Sequence, residues 1–207
     1  MATLADLRAR IADDLARGDL TVQIEDAVRD AVRLYEAERL GFNEFYRVTA
    51  SLSASSGSVA LAALPITVLA VDRLRRRDAA GTWCELPRRG VATIAALQDT
   101  SVVAGPSCWC ISGTAIEFDT VADRNYGLLL DGVRQISTAS AAADVSAWFN
   151  EARDLIRASA KKSLYLHVIK EAEQATACAA AEAEALAMLR GKINLKKAGG
   201  LIRPTSF

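Results

Sequence analysis

Apolar residues near the start of the chain recur at three- and four-residue steps, the spacing of one helical face. A first helix begins after Thr3, which forms a capping-box pattern with Asp6, and a second runs from about Thr21 to Gly41. The short connection around Gly18 favours an antiparallel helical hairpin over residues 1–42. The apolar positions of the two helices are Leu4, Leu7, Ile11, Leu15, Ile24, Val28, Val32 and Tyr35.

A different pattern covers residues 43–140, where β-branched and aromatic residues occur at short spacing between turn residues. The segment "VATIAALQD" predicts a short helix within this region, and Ser112 with Gly113 predicts a turn between two strands. We therefore expect a small, mostly antiparallel unit of about four to six strands, inserted between two helical parts. The segments that predict strands are "FYRVTASLSA", "VLAVDRLRRR", "DAAGTWCEL", "SCWCISGTAIEFD" and "YGLLLDGVRQI".

Helical spacing resumes in residues 141–191, where Asp144 or Ser146 can cap a helix. An alanine-rich helix follows, and Gly191 is its expected C-cap. Residues 192–207 are basic, are broken by glycines and have too little apolar surface to fold alone. The apolar positions of the first of these helices are Phe149, Ala152, Ile156, Ala160, Leu164 and Val168.

These segments together predict an α+β fold that is mainly α. Its core is a bundle of about four helices, from residues 1–42 and 141–191, with the β-rich unit of residues 43–140 inserted. Residues 192–207 are predicted to form an extended tail. Leu195, Leu201, Ile202 and Phe207 give this tail apolar anchors, so we expect it to become ordered on a partner.

Composition excludes several classes of function. The 207 residues include 25 basic and 25 acidic side chains, so the chain lacks the overall positive charge of a dedicated DNA-binding protein. The first residues do not form a secretory signal, and residues 59–71 are about half as long as a membrane span, so we expect no membrane partner and synthesis in the cytoplasm. Four scattered cysteines fit a reducing compartment.

Six arginines are candidate contacts to DNA phosphates or to a protein partner. Asp72 and Asp78 flank the first group, and this mixture of charges favours a solvated hairpin edge over a phosphate-binding face. The six candidates are Arg73, Arg75, Arg76, Arg77, Arg88 and Arg89.

Catalytic chemistry has little support in the sequence. Cys108 and Cys110 share one strand, but with the lone His167 they do not supply the four ligands of a zinc site, and burial as small apolar side chains is the better interpretation. Glycine loops for phosphates and metalloprotease or hydrolase motifs do not occur. We therefore expect no enzyme activity, no cofactor and no metal. A thiol-dependent hydrolase using Cys110 is a distant alternative.

Three stretches carry a resemblance to a known family. They are the opening "LADLRARIADDLARGDLTVQIEDAVRDAVRLYEAERLGFNE" (residues 4–44), "GPSCWCISGTAIEFD" (residues 105–119) and "WFNEARDLIRASAKKSLYLHVIKE" (residues 148–171). In this order they resemble the head-to-tail adaptor proteins, the neck or head-completion connectors, of tailed bacteriophages. The chain departs from that pattern after Asp119, where "TVADRN" stands in place of a proline-marked turn, and in the serine- and alanine-rich residues 53–64.

The resemblance implies a structural virion protein that forms a ring, usually of twelve identical subunits, between capsid and tail. Such a ring docks beneath the portal protein, surrounds the channel through which DNA passes and presents a surface to the next neck or tail protein. By resemblance, the C-terminal tail reaches along the portal. The tail residues with this implied role are Lys192, Leu195, Lys196, Lys197, Leu201, Ile202, Arg203 and Phe207.

Two other functions stay open at this point. One is a different neck or tail-completion protein, because ring-forming virion proteins share layouts of helices and β-strands. The other is a cellular helical module that binds DNA or protein through its Arg73–Arg89 region, which salt-dependent binding of duplex DNA would favour.

Overall fold

A computed structural model describes residues 3–98, 102–136 and 146–198, without the side chains of residues 193–198. The chain divides into two compact units, a helical unit of Met1–Phe42 with Ile136–Phe207 and a β-sheet unit of Asn43–Gln135. In chain order the elements are α1 (Leu4–Asp14), α2 (Thr21–Tyr35), β1 (Glu44–Leu52), β2 (Ser58–Ala60), a 3₁₀ turn (Leu61–Ala63), β3 (Val68–Arg77), β4 (Trp83–Leu86), α3 (Val91–Leu97), β5 (Trp109–Ser112), β6 (Ala115–Phe118), β7 (Tyr126–Arg134), α4 (Ala147–Glu151), α5 (Arg153–Leu164), a π-helical turn (Tyr165–Ile169) and α6 (Ala172–Ala198).

The prediction of a mainly α-helical, four-helix bundle is wrong. The described residues contain six α-helices and seven strands in two sheets, and they are 44% helical and 26% strand. Six of these strands lie in segments that predicted strands, so the error concerns proportion: the two sheets form a larger part of the fold than the predicted small insertion. β2 has three residues, lies in the serine- and alanine-rich segment and was not predicted. A strand of three residues is too short to show a clear alternation of apolar and polar positions.

The helical unit packs α1, α2, α4, α5 and α6 around one apolar core. At the start of α1 the predicted capping box is present, because the Asp6 amide donates to Thr3 Oγ1 over 3.1 Å and the Thr3 amide donates to Asp6 Oδ2 over 2.9 Å. Phe42 packs edge-on against Trp148, with 5.0 Å between the ring centroids. The largest fully buried side chains of this core are Leu4, Leu7, Ile11, Ile24, Trp148 and Phe149.

The helix that was expected to begin at Ser146 is divided into three pieces. Ser146 caps α4, and Ala152, with φ −116° and ψ 21°, separates α4 from α5. The π-helical turn then follows α5 and ends at Lys170, whose φ of 64° reverses the chain into α6. The apolar stripe spans all three pieces, so its spacing alone could not show these interruptions.

α6 is 27 residues long and does not end at Gly191 as the sequence suggested. Gly191 lies in the helix interior, and a Cβ placed there would meet no atom within 4 Å. A glycine costs a helix only about 1 kcal/mol relative to alanine, and the good helix formers on both sides of Gly191 outweigh that cost. The predicted extended tail is corrected accordingly: residues 192–198 are helical, and residues 199–207 lie outside the described residues.

The β-sheet unit contains two antiparallel sheets. The larger has the strand order β1-β7-β3-β4 and the smaller has the order β2-β6-β5. In the larger sheet β3 shifts register against β7, and at this point Gly132 lies so close to β3 that a Cβ would fall 2.1 Å from the Ala70 carbonyl oxygen. The core of the unit contains Leu52, Val71, Leu74, Trp109, Ile116, Phe118, Leu128 and Leu130.

Candidate assembly surfaces

The four arginines of β3 do not form one patch. Side chains alternate between the two faces of a strand, so Arg73, Arg75 and Arg77 lie on one face of the larger sheet and Arg76 lies on the other. Arg88 and Arg89 follow β4 in the connection to α3. The structure therefore separates a cluster that looked continuous in the sequence.

The three arginines on one face of β3 already have partners within the sheet. Arg73 Nε lies 3.3 Å from a carboxylate oxygen of Glu85 on β4, and Arg75 Nη2 lies 3.0 Å from one of Asp131 on β7. Arg77 Nε donates to the Gly81 carbonyl over 3.2 Å and so supports the β3–β4 turn. These contacts favour a role in holding neighbouring strands together over a free phosphate-binding face.

Arg76 belongs to a compact cluster around the ring of Tyr126. Its guanidinium carbon lies 5.2 Å from the ring centroid, and that of Arg124 lies at 5.0 Å. The Tyr126 hydroxyl donates to Asp123 over 2.6 Å, which lowers the pKa of this carboxyl. A Cβ at Gly105 would fall 2.2 Å from Arg76 Nη1 and 2.5 Å from the Tyr126 hydroxyl, so the glycine permits this close packing.

Residues 88–97 form an exposed surface, which we call the α3 segment. Only Ile94 of α3 is buried, whereas Val91 and Leu97 are 49% and 53% exposed. Arg88 lies over the ring of Trp109, with 5.5 Å to its centroid, and the Arg89 amide donates to the Trp109 carbonyl. Among the described residues neither arginine has a carboxylate partner at ion-pair distance. The sequence predicted this short helix, but it did not indicate that Ile94 would be the only buried side chain of the helix.

Asp119, at the end of β6, is bonded to the connection that precedes β5. Its carboxylate accepts hydrogen bonds from the amides of Ser107 and Cys108, over 2.9 and 3.2 Å, and from the Ser107 hydroxyl. Burial opposes ionisation of Asp119, but these donors outweigh it and lower the pKa of the carboxyl. The hairpin is thus tied to the preceding strand connection by one buried carboxylate.

Buried and half-buried ion pairs hold the long helices of the other unit together. Glu182 on α6, 6% exposed, accepts a 2.7 Å hydrogen bond from the Tyr35 hydroxyl and pairs with Lys162 on α5. Burial raises the pKa of Glu182, but the bonds from Lys162 and Tyr35 outweigh it, so the pKa is lowered overall. Burial, together with the bond to Glu182, raises the pKa of Tyr35.

A second carboxylate, Asp14 at the end of α1, joins that helix to α5. Arg157 Nε donates to Asp14 over 2.7 Å and Lys161 Nζ lies 3.2 Å from the same carboxylate. The bond from Arg157 is the largest cause of the lowered pKa of Asp14.

A further ion pair lies at the far end of α6, where Arg190 Nη2 is 2.9 Å from a carboxylate oxygen of Glu38. The sequence offered no signal for these pairs because their members are 143 and 152 residues apart.

The side of α6 that faces away from the helical core carries mainly small side chains. We call it the outer face of α6, and it consists of exposed residues at helical spacing, Glu173, Ala177, Ala180, Glu184, Ala187 and Gly191, flanked by Met188, which is 60% exposed. Small side chains therefore make up most of this face, and Glu173 and Glu184 add two negative charges to it.

The match to a family model decides what kind of protein presents these surfaces. The model described as SU10 adaptor protein matches residues 2–203, nearly the whole chain. The chain belongs to the SU10 adaptor protein family. The resemblance to bacteriophage head-to-tail adaptors is confirmed at this level. None of the curated proteins compared with the chain matches it.

Membership of the adaptor family makes the chain a bacteriophage structural protein, a virion component that interacts with other virion proteins. Structural adaptor proteins are typically non-enzymatic.

Cys108 and Cys110 are buried beside Ile94; their burial was predicted, and it is the largest cause of the raised pKa of both thiols. The described residues contain no group of three or more side chains placed to hold a metal ion. Their helices include none that could cross a membrane.

The predicted tail of the adaptor is only partly described. Lys192 is exposed on α6, and Leu195, Lys196 and Lys197 belong to the same helix, with side chains outside the described atoms. The other four tail residues fall outside the described residues. They are Leu201, Ile202, Arg203 and Phe207.

Proposed function

We propose that this adaptor is the subunit of a ring in the neck of a tailed bacteriophage, docked beneath the portal protein and linking capsid to tail around the DNA channel. The observation that carries the proposal is the family match over residues 2–203. The protein acts by geometry: it assembles with identical copies, binds the portal on one side and offers a surface to the next neck or tail protein on the other. It is synthesised in the host cytoplasm and ends in the virion.

Ring formation requires each copy to carry two different complementary faces, because a closed ring is built from head-to-tail contacts. The outer face of α6 supports one of them. Its small side chains allow a neighbouring element to approach closely, and its apolar surface is otherwise left uncovered within the described residues. A ring of twelve copies, the usual number in the family that the chain resembles, is part of the proposal.

In this proposal, residues 192–207 dock the adaptor on the portal. Residues 192–198 continue α6 beyond Arg190, which pairs with Glu38 near the end of the helical core. Seven helical residues add about 10 Å of reach, and the nine that follow add up to about 30 Å if extended. Leu195, Leu201, Ile202 and Phe207 supply the apolar contacts, and the lysines and Arg203 supply positive charge.

DNA is proposed only as cargo that passes through the ring. Arg73 and Arg75 are engaged with Glu85 and Asp131, and the chain has no net charge, so a strong field for phosphates is not expected. A weakly interacting channel also lets DNA slide. A cellular module that binds DNA through its arginines would instead bind duplex DNA tightly, with a steep dependence on salt.

The test is electron microscopy of the portal ring from the same phage mixed with the purified adaptor. Added density beneath the portal, with a symmetry matching the ring, is the expected result. A variant lacking residues 192–207 should fold but fail to dock on the portal. A variant in which the order of residues 199–207 is shuffled tests whether docking depends on their sequence or only on their length. A bare portal at protein excess and at several salt concentrations would contradict the proposal and favour another neck or tail-completion protein.

A further inference from the structure

We propose that a groove between α5 and α6 binds residues 199–207 of the same chain before the adaptor meets its partners. The groove lies within the helical unit, and residues 199–207 directly follow α6. This contact does not depend on the proposed ring. Its consequence for docking, that the portal and the groove compete for the same residues, rests on the proposed function.

The groove consists of two adjoining cavities. One has a volume of about 280 Å³ and the other of about 80 Å³, and both are lined by Asp154 of α5 and Ala185 of α6. Along α6 they extend from Cys178 to Lys192, which is about 21 Å of helix. Short side chains in the walls leave space that a further segment of chain can fill. These small residues are Ala152, Ala158, Cys178, Ala181 and Ala185.

The sequence of residues 199–207 suits a segment that turns back and then extends. Gly199 and Gly200 follow the last described residue of α6, and a pair of glycines allows the backbone conformations that reverse a chain after a helix. Pro204 lacks the amide that a helix needs, and it favours an extended conformation at the preceding residue. We therefore expect a reversal at the glycines, followed by an extended run.

The length of this run matches the distance to the groove. Residues 201–207 span about 20 Å when they are extended, and Ala185 lies about 20 Å before Ala198 along α6. A reversal at the two glycines therefore brings Phe207 beside Ala185, where the larger cavity lies. The ring of Phe207 is the one aromatic group of the segment, and this cavity offers it an apolar floor of alanines.

The charges of the groove also agree with this placement. In an extended run Arg203 projects to the same side as Phe207 and lies about 13 Å from it, toward Lys192 and the smaller cavity. Two carboxylates, of Glu151 and Asp154, outnumber Lys192 in the lining of that cavity. Asp154 lies 3.3 Å from Arg153, whereas Glu151 is exposed and forms no ion pair within the described ranges. Glu151 is thus the expected partner of Arg203.

The covalent link selects the segment of the same chain as the occupant. Residues 199–207 begin at the end of the helix that forms one wall of the groove. Their effective concentration at the groove is therefore in the millimolar range, as for other short flexible connections. The same residues of another copy would compete only at a comparable concentration of protein.

The experiment is disulfide trapping in the full chain, in a background with Cys84→Ser and Cys178→Ala. The M188C/T205C variant joins the rim of the smaller cavity to the residue of the segment that the proposed placement brings beside it. The A187C/T205C control places the cysteine one residue away, on the outer face of α6. We expect the disulfide within one chain to form at least about tenfold faster in M188C/T205C. Peptide mapping by mass spectrometry identifies the bond, and circular dichroism checks that each variant is folded.

A second set of variants tests the larger cavity. Ala181 is exposed and lines this cavity, so A181W should fill it without disturbing the helical core. Added to M188C/T205C, either A181W or F207A should slow trapping at least about fivefold, because Phe207 loses its site or its ring. The matched control is A180W, on the outer face of α6, which should leave the trapping rate unchanged.

Three results would overturn the contact. They are equal trapping rates in M188C/T205C and A187C/T205C, an A181W chain that is folded and traps at the original rate, and disulfides that form mainly between chains when singly substituted M188C and T205C chains are mixed. The last result would assign the groove to the segment of another copy.

The portal ring separates this contact from the proposed function. Excess portal should slow trapping, because docking withdraws residues 199–207 from the groove. Portal that binds the adaptor without slowing trapping would contradict the competition. A portal that stays bare while trapping proceeds as expected would contradict the portal role and support the groove contact.

Discussion

The hydroxyl of Tyr35 donates a 2.7 Å hydrogen bond to Glu182, a carboxylate 147 residues further along the chain. This bond joins α2 to α6 and, through the pairing of Glu182 with Lys162, also to α5. One buried carboxylate therefore connects the beginning and the end of the helical unit. The long α6, with its outer face and its C-terminal extension, is fixed in place by this connection.

Removing the charge of Glu182 should destabilise the helical unit. Glu182→Gln leaves the half-buried Lys162 without its counter-charge, and we expect a loss of about 1–2 kcal/mol in the free energy of unfolding, less than for a fully buried pair because Lys162 keeps some contact with water. Urea unfolding followed by circular dichroism measures it. The control is Glu184→Gln, two residues away and exposed, which should change stability by less than about 0.5 kcal/mol. Equal effects of the two substitutions would contradict the structural role of Glu182.

Asp14 should make stability depend on pH in the acid range. Its pKa is lowered in the folded chain, mainly by the bond from Arg157, so its contribution is present above the unfolded pKa of about 3.9 and is lost as pH falls through the lower folded value. Asp14→Asn should be less stable than wild type at pH 7, by about 1–2 kcal/mol, and the difference should shrink as the pH falls through the lowered pKa of Asp14.

The control for Asp14 is its neighbour Asp13, which is exposed. Asp13→Asn should give a curve of stability against pH parallel to that of the wild type, measured by thermal unfolding between pH 7 and pH 2.5. If Asp14→Asn also gave a parallel curve, the ion pair with Arg157 would not contribute to acid sensitivity.

Close packing at Gly105 should be sensitive to a single methyl group. Gly105→Ala places a Cβ against Arg76 and the Tyr126 hydroxyl, and the movement needed to relieve the overlap should cost about 1–3 kcal/mol of stability in the β-sheet unit. The control is Gly90→Ala, whose Cβ would meet only Thr93 Oγ1 at 3.8 Å. Thermal unfolding compares the two, and a Gly105→Ala chain as stable as the Gly90→Ala chain would be inconsistent with the packing described.

Local patterns allowed much of the fold to be predicted. The apolar spacing of α1 and α2, the capping box at Thr3 and the turn at Gly113 are all properties of neighbouring residues, and each is present in the structure. The balance of helix and strand was misjudged, because the β-rich unit was treated as a small insertion although its strands form two sheets, and the three-residue strand β2 was missed. Secondary structure that depends on pairing with a distant strand is weakly encoded in its own residues.

The candidate surfaces were less predictable because they depend on three-dimensional neighbours. The arginines of β3 looked like one cluster until strand alternation divided them and Glu85 and Asp131 were found beside Arg73 and Arg75. Glu182 is buried by its contacts with Tyr35 and Lys162, which lie 147 and 20 residues away in the sequence, so its own neighbours do not reveal these contacts. The family itself was recognisable from the order of the segments, since that order survives errors in individual boundaries.

The continuation of α6 through Gly191 can be tested by one substitution. An exposed glycine in a helix interior has more conformational freedom in the unfolded chain than alanine does, so Gly191→Ala should raise the free energy of unfolding by about 0.5–1 kcal/mol. Gly113 is the matched control, because its φ of +56° is unfavourable for alanine and Gly113→Ala should lower stability. Urea unfolding followed by circular dichroism measures both changes. A Gly191→Ala chain that lost stability as Gly113→Ala does would mean that Gly191 is in the left-handed conformation and that the helix ends there, as the sequence alone had suggested.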